Sequence, residues 1–322
     1  MNAGPGGIDL ALLKSGNRRT LAKAITLVES RAERHRAEAQ DLLNAVLPDT
    51  GKALRIGISG SPGVGKSTFI ETFGQHALRA GKKLAVLAVD PSSPIAGGSI
   101  LGDKTRMSDL AREDGAFIRP SPSGGALGGV ALRTRESLLL CEAAGYDLIL
   151  VETVGVGQSE FDVAAMVDLF MVLLLPNAGD ELQGIKRGIV ELADLLVVNK
   201  ADGDHRDHAA QTASRYRGAL GLLRQMGSWK PQVLTCSALE NEDIDQVWDT
   251  VQAFYRQVLG DGSLEAARQR QAVVWMERLV GEILQQRLMA KPEAQSLRET
   301  LEQQVRASNL TPFAAAQQLA DA

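Results

Sequence analysis

The chain has 322 residues, with 35 basic and 39 acidic side chains and a formal net charge of −4. Hydrophobic residues make up 44% of it, which supports a sizeable core and excludes a disordered protein. The near-neutral charge argues against nucleic acid as a partner, and two cysteines (Cys141 and Cys236) can supply neither a disulfide framework nor a four-ligand zinc site.

The sequence shows no targeting or membrane-spanning segment. Residues 1–20 lack the basic-then-apolar pattern of a signal or transit peptide. The most apolar stretch, Leu169–Leu175, is far shorter than the ~20 residues of a membrane span. We therefore expect a cytoplasmic protein that does not associate with membranes.

The N-terminal region is predicted to be helical. Apolar side chains recur at helical spacing on two faces, and the breaker cluster Pro48–Gly51 ends the region just before the first strand. The first face is marked by Leu21, Ala24, Ile25 and Val28, and the second by Leu42, Leu43 and Val46. We predict a helical N-terminal extension over residues 1–52.

Six short, continuous apolar runs follow, and segments with helical spacing separate most of them. Such runs are typical of strands buried on both faces of a parallel sheet. The runs are Arg55–Ser59, Leu84–Asp90, Leu148–Glu152, Leu169–Leu175, Leu195–Asn199 and Val233–Cys236. Their alternation with helices predicts an α/β domain over residues 53–260, with a doubly wound, mostly parallel sheet.

A glycine-rich loop follows the first predicted strand directly and opens a predicted helix, Thr68–Ala80. The loop matches G-x-x-x-x-G-K-S and consists of Gly60, Ser61, Pro62, Gly63, Val64, Gly65, Lys66, Ser67 and Thr68. Backbone N–H groups of such a loop bind phosphate oxygens, Lys66 reaches the β- and γ-phosphates, and the Ser67 hydroxyl ligates Mg²⁺. The fold is therefore predicted to be a P-loop NTPase. Pro62 stands where partitioning and anion-pump ATPases carry an extra lysine, which argues against that branch.

Two acidic residues end predicted strands near this loop. Asp90 ends the second strand and Glu152 ends the third, at the position of a Walker-B aspartate. Because the carboxyl ends of parallel strands meet at one edge of the sheet, both carboxylates should converge on the Mg²⁺ beside Lys66. The Gly155 N–H can face the γ-phosphate. We predict Asp90 and Glu152 as metal-site and catalytic residues, together with Lys66.

A glycine-rich segment, Gly97–Arg106, lies between the second and third predicted strands. Its glycines and mixed charges predict a mobile switch that closes on the γ-phosphate. Asp103 is a second candidate Mg²⁺ ligand, and Arg106 is either an internal counter-charge or a surface residue. In small GTPases the glutamine that positions the attacking water directly follows the glycine, whereas Gln158 follows Gly155 by three residues. Whether Gln158 contacts the water therefore stays open.

Two loops at the ends of later strands predict guanine recognition. They contain Asn199, Lys200 and Asp202 (N-K-x-D), and then Ser237, Ala238 and Leu239. The Asp202 carboxylate can accept both N1–H and N2–H₂ of guanine, whereas adenine has no donor at N1. Asn199 positions the loop and can reach the base edge, and the Lys200 stem can cover the base. The second loop resembles the guanine O6-binding loop of GTPases, in which a backbone N–H donates.

The chain from residue 261 onward is again predicted to be helical. It begins after the breaker Gly260–Gly262 and carries a strong apolar stripe. The stripe consists of Met276, Leu279, Val280, Ile283, Leu284 and Leu288. Packing within its own domain and burial in a subunit interface both explain the stripe. We favour the interface, because a complete α/β domain precedes this region, and predict a dimerisation arm over residues 261–322.

Together these motifs resemble the MeaB/ArgK-type GTPases, in the signal-recognition-particle-like branch of P-loop proteins. Besides the phosphate loop and Asn199–Asp202, the similar strings are Thr20–Ser30, Val89–Pro94, Gly97–Met107, Phe117–Ser121, Val151–Ser159 and Gly179–Lys186. The strings at 89–94, 97–107 and 179–186 are the most specific. The resemblance covers nearly the whole chain.

The resemblance implies a homodimeric GTPase that acts as a chaperone for an adenosylcobalamin-dependent mutase of the methylmalonyl-CoA mutase type. Such a protein would gate cofactor loading and protect or reactivate the mutase. Gly179–Lys186 would be a further switch that transmits partner binding, with Lys186 as a catalytic candidate on the nucleotide side. We expect slow in-line attack of water on the γ-phosphate of GTP, which yields GDP.

Three alternatives stay open. The same family has carried an older label as a kinase linked to amino-acid transport, but the two guanine loops argue against the ATP preference of a kinase. A metal-delivery GTPase for nickel enzymes should carry clustered Cys and His ligands, whereas the cysteines are remote in sequence and His205 and His208 suit a solvated face. A nucleotide-gated adaptor with negligible hydrolysis is compatible with the same motifs.

The base assignment predicts a strong preference for GTP over ATP, since sites built on buried polar pairing can reject a wrong ligand by ~10⁴–10⁵. Asp202→Asn should abolish guanine selectivity and favour xanthine nucleotides, because the carboxylate acceptor is lost. Calorimetric titration with GTP, ATP and XTP measures both effects. Equal affinity of the unaltered chain for GTP and ATP, or an unchanged GTP affinity of the variant, contradicts the assignment.

Overall fold

The computed structural model describes residues 4–30, 32–89, 107–120, 127–153, 159–176, 187–222 and 228–322. The chain divides into two compact units, Met1–Leu264 and Glu265–Ala322. Across the described residues, no helix combines the length and the apolar character that crossing a membrane requires.

The strands described in the first unit form one fully parallel sheet. They are β1 (Leu54–Gly60), β2 (Leu84–Val89), β3 (Ala116–Pro120), β4 (Leu148–Thr153), β5 (Leu169–Leu174), β6 (Leu195–Val198) and β7 (Gln232–Thr235). The spatial order is β3-β2-β4-β1-β5-β6-β7, which places β1 at the centre. β1, β4, β5 and β6 are buried along their whole length, as expected for strands covered on both faces.

Helices precede the first strand, alternate with most of the strands and follow the last strand along the chain. In the first unit the described helices are α1 (Leu10–Lys14), α2 (Arg18–Glu29), α3 (Glu33–Val46), α4 (Lys66–Arg79), α5 (Leu127–Ala143), α6 (Ser159–Ala164), α7 (Arg187–Glu191), α8 (Arg206–Leu222) and α9 (Ile244–Gly260). The next helix, α10 (Ser263–Met289), begins in the first unit and continues into the second, which also holds α11 (Pro292–Arg306) and α12 (Pro312–Ala320).

The predicted α/β fold is confirmed, and all six predicted strands are present with end shifts of one residue. β3 is the strand that the sequence analysis does not predict. It has five residues, ends in Pro120 and pairs with β2, at the edge of the described sheet. Proline lacks an N–H donor and is tolerated at strand ends and sheet edges, so a run this short and proline-terminated gives a weak strand pattern.

The N-terminal helices belong to the same compact unit as the sheet. Their predicted apolar faces are buried, at Leu21, Ala24, Ile25 and Val28 in α2 and at Leu42, Leu43 and Val46 in α3. α2 and α3 pack on α5. Arg119 in β3 donates from Nη2 to Glu29 Oε2 at 2.5 Å and to Thr26 Oγ1 at 3.2 Å, which ties α2 to the edge strand. The predicted division after residue 52 stays a prediction.

A buried ion pair lies at the amino end of β1. Arg55 donates from Nε and Nη2 to the two carboxylate oxygens of Glu142 in α5, at 2.9 Å each. The Gly51 N–H donates to Glu142 Oε2 at 2.8 Å. The side chains of Arg55 and Glu142 are 7% and 0% exposed. Removal of either partner therefore leaves the other as an uncompensated buried charge.

Four of the six side chains in the predicted apolar stripe of the C-terminal region are exposed, whereas Leu279 and Leu288 are half-buried. In α10, Met276, Val280, Ile283 and Leu284 are between 42% and 58% exposed. Neighbouring apolar side chains on one solvated helix are typical of an interaction surface. The exposed positions suit a subunit interface, and the choice between the two explanations offered by the sequence stays a prediction.

Glu142→Ala should lower the free energy of unfolding by ~3–5 kcal/mol, because it leaves the Arg55 guanidinium buried and unpaired. Lys14→Ala is the matched control, since the Lys14–Asp49 pair is 42% and 40% exposed and an exposed pair contributes ~0–1 kcal/mol. Urea unfolding followed by circular dichroism measures both. Equal losses in the two variants contradict a structural role for the buried pair.

Candidate functional site

The sheet brings the predicted nucleotide motifs to one edge. β1 and β4 are neighbours, with Ile58 aligned with Glu152, and β6 and β7 are neighbours, with Val198 aligned with Thr235. The segments that follow the ends of these parallel strands therefore emerge on the same side, where ligands of open α/β sheets bind.

Two positions of the phosphate loop require glycine, because the backbone has a positive φ there and neighbouring atoms leave no room for a side chain. Gly60 and Gly65 have φ of 152° and 92°, conformations that side-chain-bearing residues rarely adopt. A Cβ at Gly60 would lie 2.6 Å from the carbonyl oxygen of Leu173, and a Cβ at Gly65 would lie 2.9 Å from Asn199 Nδ2. α4 begins at Lys66, two residues before the predicted start, so the loop opens directly onto a helix N-terminus that favours anions.

Lys66 lies across the phosphate loop. Its Nζ donates to the carbonyl oxygens of Gly60 at 2.8 Å and Ser61 at 3.4 Å. Burial lowers the pKa of Lys66, and the carboxylates of Glu152 and Glu160 oppose that shift. The ammonium therefore lies among loop carbonyls and near two carboxylates, within the part of the loop that binds phosphate in P-loop proteins.

Glu160 is a site residue that the sequence analysis does not identify. It is 1% exposed, and Ser59 Oγ donates to its Oε1 at 3.0 Å. Glu152, which the sequence does predict, is 4% exposed at the end of β4. An acidic residue in the first turn of a helix is common, since it complements the helix dipole, so position in the sequence does not distinguish Glu160.

The two predicted guanine loops are joined to each other. Ser237 Oγ donates to Asp202 Oδ2 at 2.5 Å, and the Ala201 N–H donates to the Cys236 carbonyl at 3.0 Å. Lys200 is exposed with φ of 60°, and Leu239 is 75% exposed. The Asp202 carboxylate is thus held in place by the neighbouring loop, as a base-recognising group should be.

Asn199 connects the guanine loops to the phosphate loop. The residue is 2% exposed, and its amide donates from Nδ2 to the Val64 carbonyl at 2.9 Å and accepts at Oδ1 from the Ala238 N–H at 3.0 Å. Thr72 Oγ1 in α4 donates to the Ala238 carbonyl at 2.8 Å. Asn199 therefore links the phosphate loop to the second guanine loop, and its predicted role in positioning them stays a prediction. Its predicted contact with the base edge stays a prediction.

Several predicted residues lie outside the described part of the chain. They are Asp90, Asp103, Gly155 and Lys186, together with the segment Gly97–Arg106, Gln158 and Gly179–Lys186. Their roles stay predictions.

Ser67 and Glu152 supply hydroxyl and carboxylate oxygens, the ligand type that Mg²⁺ prefers. Within the described ranges, no group of three or more His, Cys, Asp and Glu side chains is placed to hold a metal ion. Mg²⁺ at nucleotide sites takes one or two protein carboxylates together with phosphate oxygens and waters, so it needs no such group. The residues present therefore fit Mg²⁺ bound together with a nucleotide.

Asn199→Ala should weaken GDP binding by ~10–100-fold, or ~1.4–2.8 kcal/mol, because the phosphate and guanine loops lose the buried amide that joins them and must then be ordered on binding. Calorimetric titration with GDP measures the change. Asn44→Ala, at an exposed position of α3, is the matched control and should bind GDP normally. An Asn199→Ala variant with unaltered GDP affinity shows that the loops do not depend on this amide.

A family model and several relatives match most of the chain. The family described as "Methylmalonyl Co-A mutase-associated GTPase MeaB" matches residues 21–293. GTPase ArgK of Escherichia coli (strain K12) is 53% identical over 282 residues, which cover 87% of this chain and 85% of that protein. The mitochondrial methylmalonic aciduria type A homolog of Mus musculus is 50% identical over 315 residues, which cover 94% of this chain and 76% of that protein.

A solved structure agrees with this placement. The crystal structure of "LAO/AO transport system kinase" is 43% identical to this chain, with a TM-score of 0.78, and the match covers 97% of this chain and 95% of that one. The resemblance drawn from the sequence motifs and the predicted P-loop fold are both confirmed. The chain belongs to the MeaB family and is a P-loop GTPase.

Proposed function

We propose that this chain is a GTP-hydrolysing chaperone of an adenosylcobalamin-dependent acyl-CoA mutase of the methylmalonyl-CoA mutase type. In this role it gates cofactor loading and protects or reactivates the mutase. The family match over residues 21–293 carries the proposal. The 50% identity with the mouse methylmalonic aciduria type A homolog supports the same partner class.

The geometry of the phosphate loop supports GTP hydrolysis by in-line attack of water. The loop N–H groups and Lys66 bind the β- and γ-phosphates and stabilise charge as the bond to the leaving β-phosphate oxygen breaks. Ser67 and Glu152, with Asp90 and Asp103, would hold Mg²⁺. Mg²⁺ held there would supply positive charge that offsets the negative charge developing on the phosphate oxygens.

The base end of the site supports selection of guanine. Asp202, held by Ser237, accepts from N1–H and N2–H₂ of the base, and the exposed Lys200 covers one face of it. Gly155 and Lys186 contact the γ-phosphate side in the activated state. With these roles, the proposed GTPase selects guanine nucleotides and responds to the γ-phosphate.

A homodimer is the proposed assembly. The exposed apolar side chains of α10, at Met276, Val280, Ile283 and Leu284, support residues 261–322 as a dimerisation arm. The helical extension of residues 1–52 and the GTPase domain of residues 53–260 complete the proposed domain organisation.

A kinase linked to amino-acid transport is the second candidate. It is favoured by the 43% identity with the protein whose crystal structure is named "LAO/AO transport system kinase". The two candidates differ in where the γ-phosphate goes: a GTPase releases it as inorganic phosphate, whereas a kinase transfers it to an acceptor molecule. The Asp202–Ser237 contact supports the first, because a carboxylate held at this position could accept from guanine N1–H and N2–H₂, whereas adenine has no donor at N1.

Turnover of γ-labelled GTP by the pure chain, alone and with apo or holo methylmalonyl-CoA mutase, tests the proposal. We expect the mutase to accelerate phosphate release and to copurify with the chain, because partner contacts order the loops around the γ-phosphate. The control is Lys66→Ala, which should bind the mutase without hydrolysis. If neither mutase form binds or accelerates turnover, the chaperone role is wrong and the GTPase assignment is unaffected. Transfer of label to an amino-acid transport protein favours the kinase.

A further inference from the structure

Glu160 places a second buried carboxylate beside the phosphate loop. It is the second residue of α6 and is 1% exposed, whereas the next residue, Phe161, is 43% exposed. α6 therefore directs Glu160 into the protein and Phe161 towards solvent. A buried carboxylate is costly unless hydrogen bonds or opposite charges compensate it, so an acidic residue at such a position needs specific partners.

The partners of Glu160 belong to the phosphate-binding apparatus. Ser59, which is fully buried, donates from Oγ to Glu160 Oε1 at 3.0 Å and immediately precedes Gly60 in the chain. The Gly60 carbonyl in turn accepts from Lys66 Nζ at 2.8 Å. A continuous path of contacts therefore leads from Glu160 through Ser59 and Gly60 to the lysine that binds phosphate.

The electrostatic interactions of Lys66 also connect it to Glu160. Burial lowers the pKa of Lys66, and the carboxylates of Glu152 and Glu160 oppose that shift by favouring the ammonium. Glu152 lies at the end of β4 and has the Mg²⁺ site as its predicted role. Glu160 has no such predicted role, and the hydrogen bond that it accepts from Ser59 joins it to the strand that leads into the loop.

We propose that Glu160 is a positioning residue for GTP hydrolysis: its carboxylate holds Ser59 and balances the Lys66 ammonium, so that the loop and the lysine keep the geometry that the transition state requires. The inference rests on the GTPase activity alone and not on the mutase partner. Because positioning matters most where charge develops, its loss lowers the rate of hydrolysis more than the affinity for GDP.

The test uses the full chain with Glu160→Gln, Ser59→Ala and the double variant. Glu160→Gln keeps an oxygen that accepts from Ser59 but removes the charge, and Ser59→Ala removes only the hydrogen bond. Asp194→Asn is the matched control, because Asp194 is also a carboxylate that accepts a hydrogen bond, from the Phe170 N–H at 2.8 Å, but lies at the amino end of β6. Single-turnover hydrolysis of GTP, the Kd for GDP and the melting temperature are measured for each.

We expect Glu160→Gln to slow hydrolysis at least ~10-fold with a GDP Kd within ~3-fold of the unaltered chain, and Ser59→Ala to slow it ~3–10-fold. The double variant should be slowed by about the product of the two single losses, because Glu160→Gln removes the charge and Ser59→Ala removes the hydrogen bond. Asp194→Asn should hydrolyse GTP normally.

Two results overturn the proposal: a Glu160→Gln rate within ~2-fold of the unaltered chain, or a rate loss matched by Asp194→Asn. If Glu160→Gln does not fold, Ser59→Ala decides the question. A folded Ser59→Ala variant with an unaltered rate then overturns the proposal, and a slowed one with unaltered GDP affinity supports it.

Discussion

The side-chain amide of Asn199 is the contact on which the nucleotide site depends. One end of the amide donates to the Val64 carbonyl in the phosphate loop, and the other accepts from the Ala238 N–H in the second guanine loop. Gly65 has no side chain to obstruct this contact, since a Cβ there would lie 2.9 Å from Asn199 Nδ2. The phosphate-binding and base-binding ends of the site are therefore held together inside the protein. A nucleotide that satisfies one end meets the other already in place.

Buried charge is distributed differently at the two ends of the sheet. At the amino end, Glu142 is matched by Arg55, and Asp168 and Asp194 accept backbone N–H groups of β1 and β5 at 2.8 Å. These charges hold strands and helices in register. At the carboxyl end, two buried carboxylates, Glu152 and Glu160, face one lysine that is itself partly desolvated. Perturbed, closely grouped charges of this kind are characteristic of sites that bind and process charged ligands.

Much of this arrangement could be predicted from local patterns. Strand and helix alternation predicts the sheet because strands buried on both faces read as continuous apolar runs. Five of the described strands are buried in this way, and β7, at the other edge, is partly buried but still has an apolar run. β3 does not follow the rule, because an edge strand of five residues ending in Pro120 lacks a long apolar run. The phosphate loop and the Asn199–Asp202 motif are equally local, since the spacing of a few residues sets where their groups point.

The sequence by itself therefore determined the fold class and the GTPase family, and it predicts the residues at both ends of the site, because each is read from a pattern of residues near one another in the chain. Only the tertiary structure decided what Glu160 and Asn199 touch. Ser59 and Glu160 are 101 residues apart, and Asn199 and Val64 are 135 residues apart. Such contacts arise from the order in which β4, β1, β5 and β6 lie side by side, and no spacing pattern along the chain encodes that order.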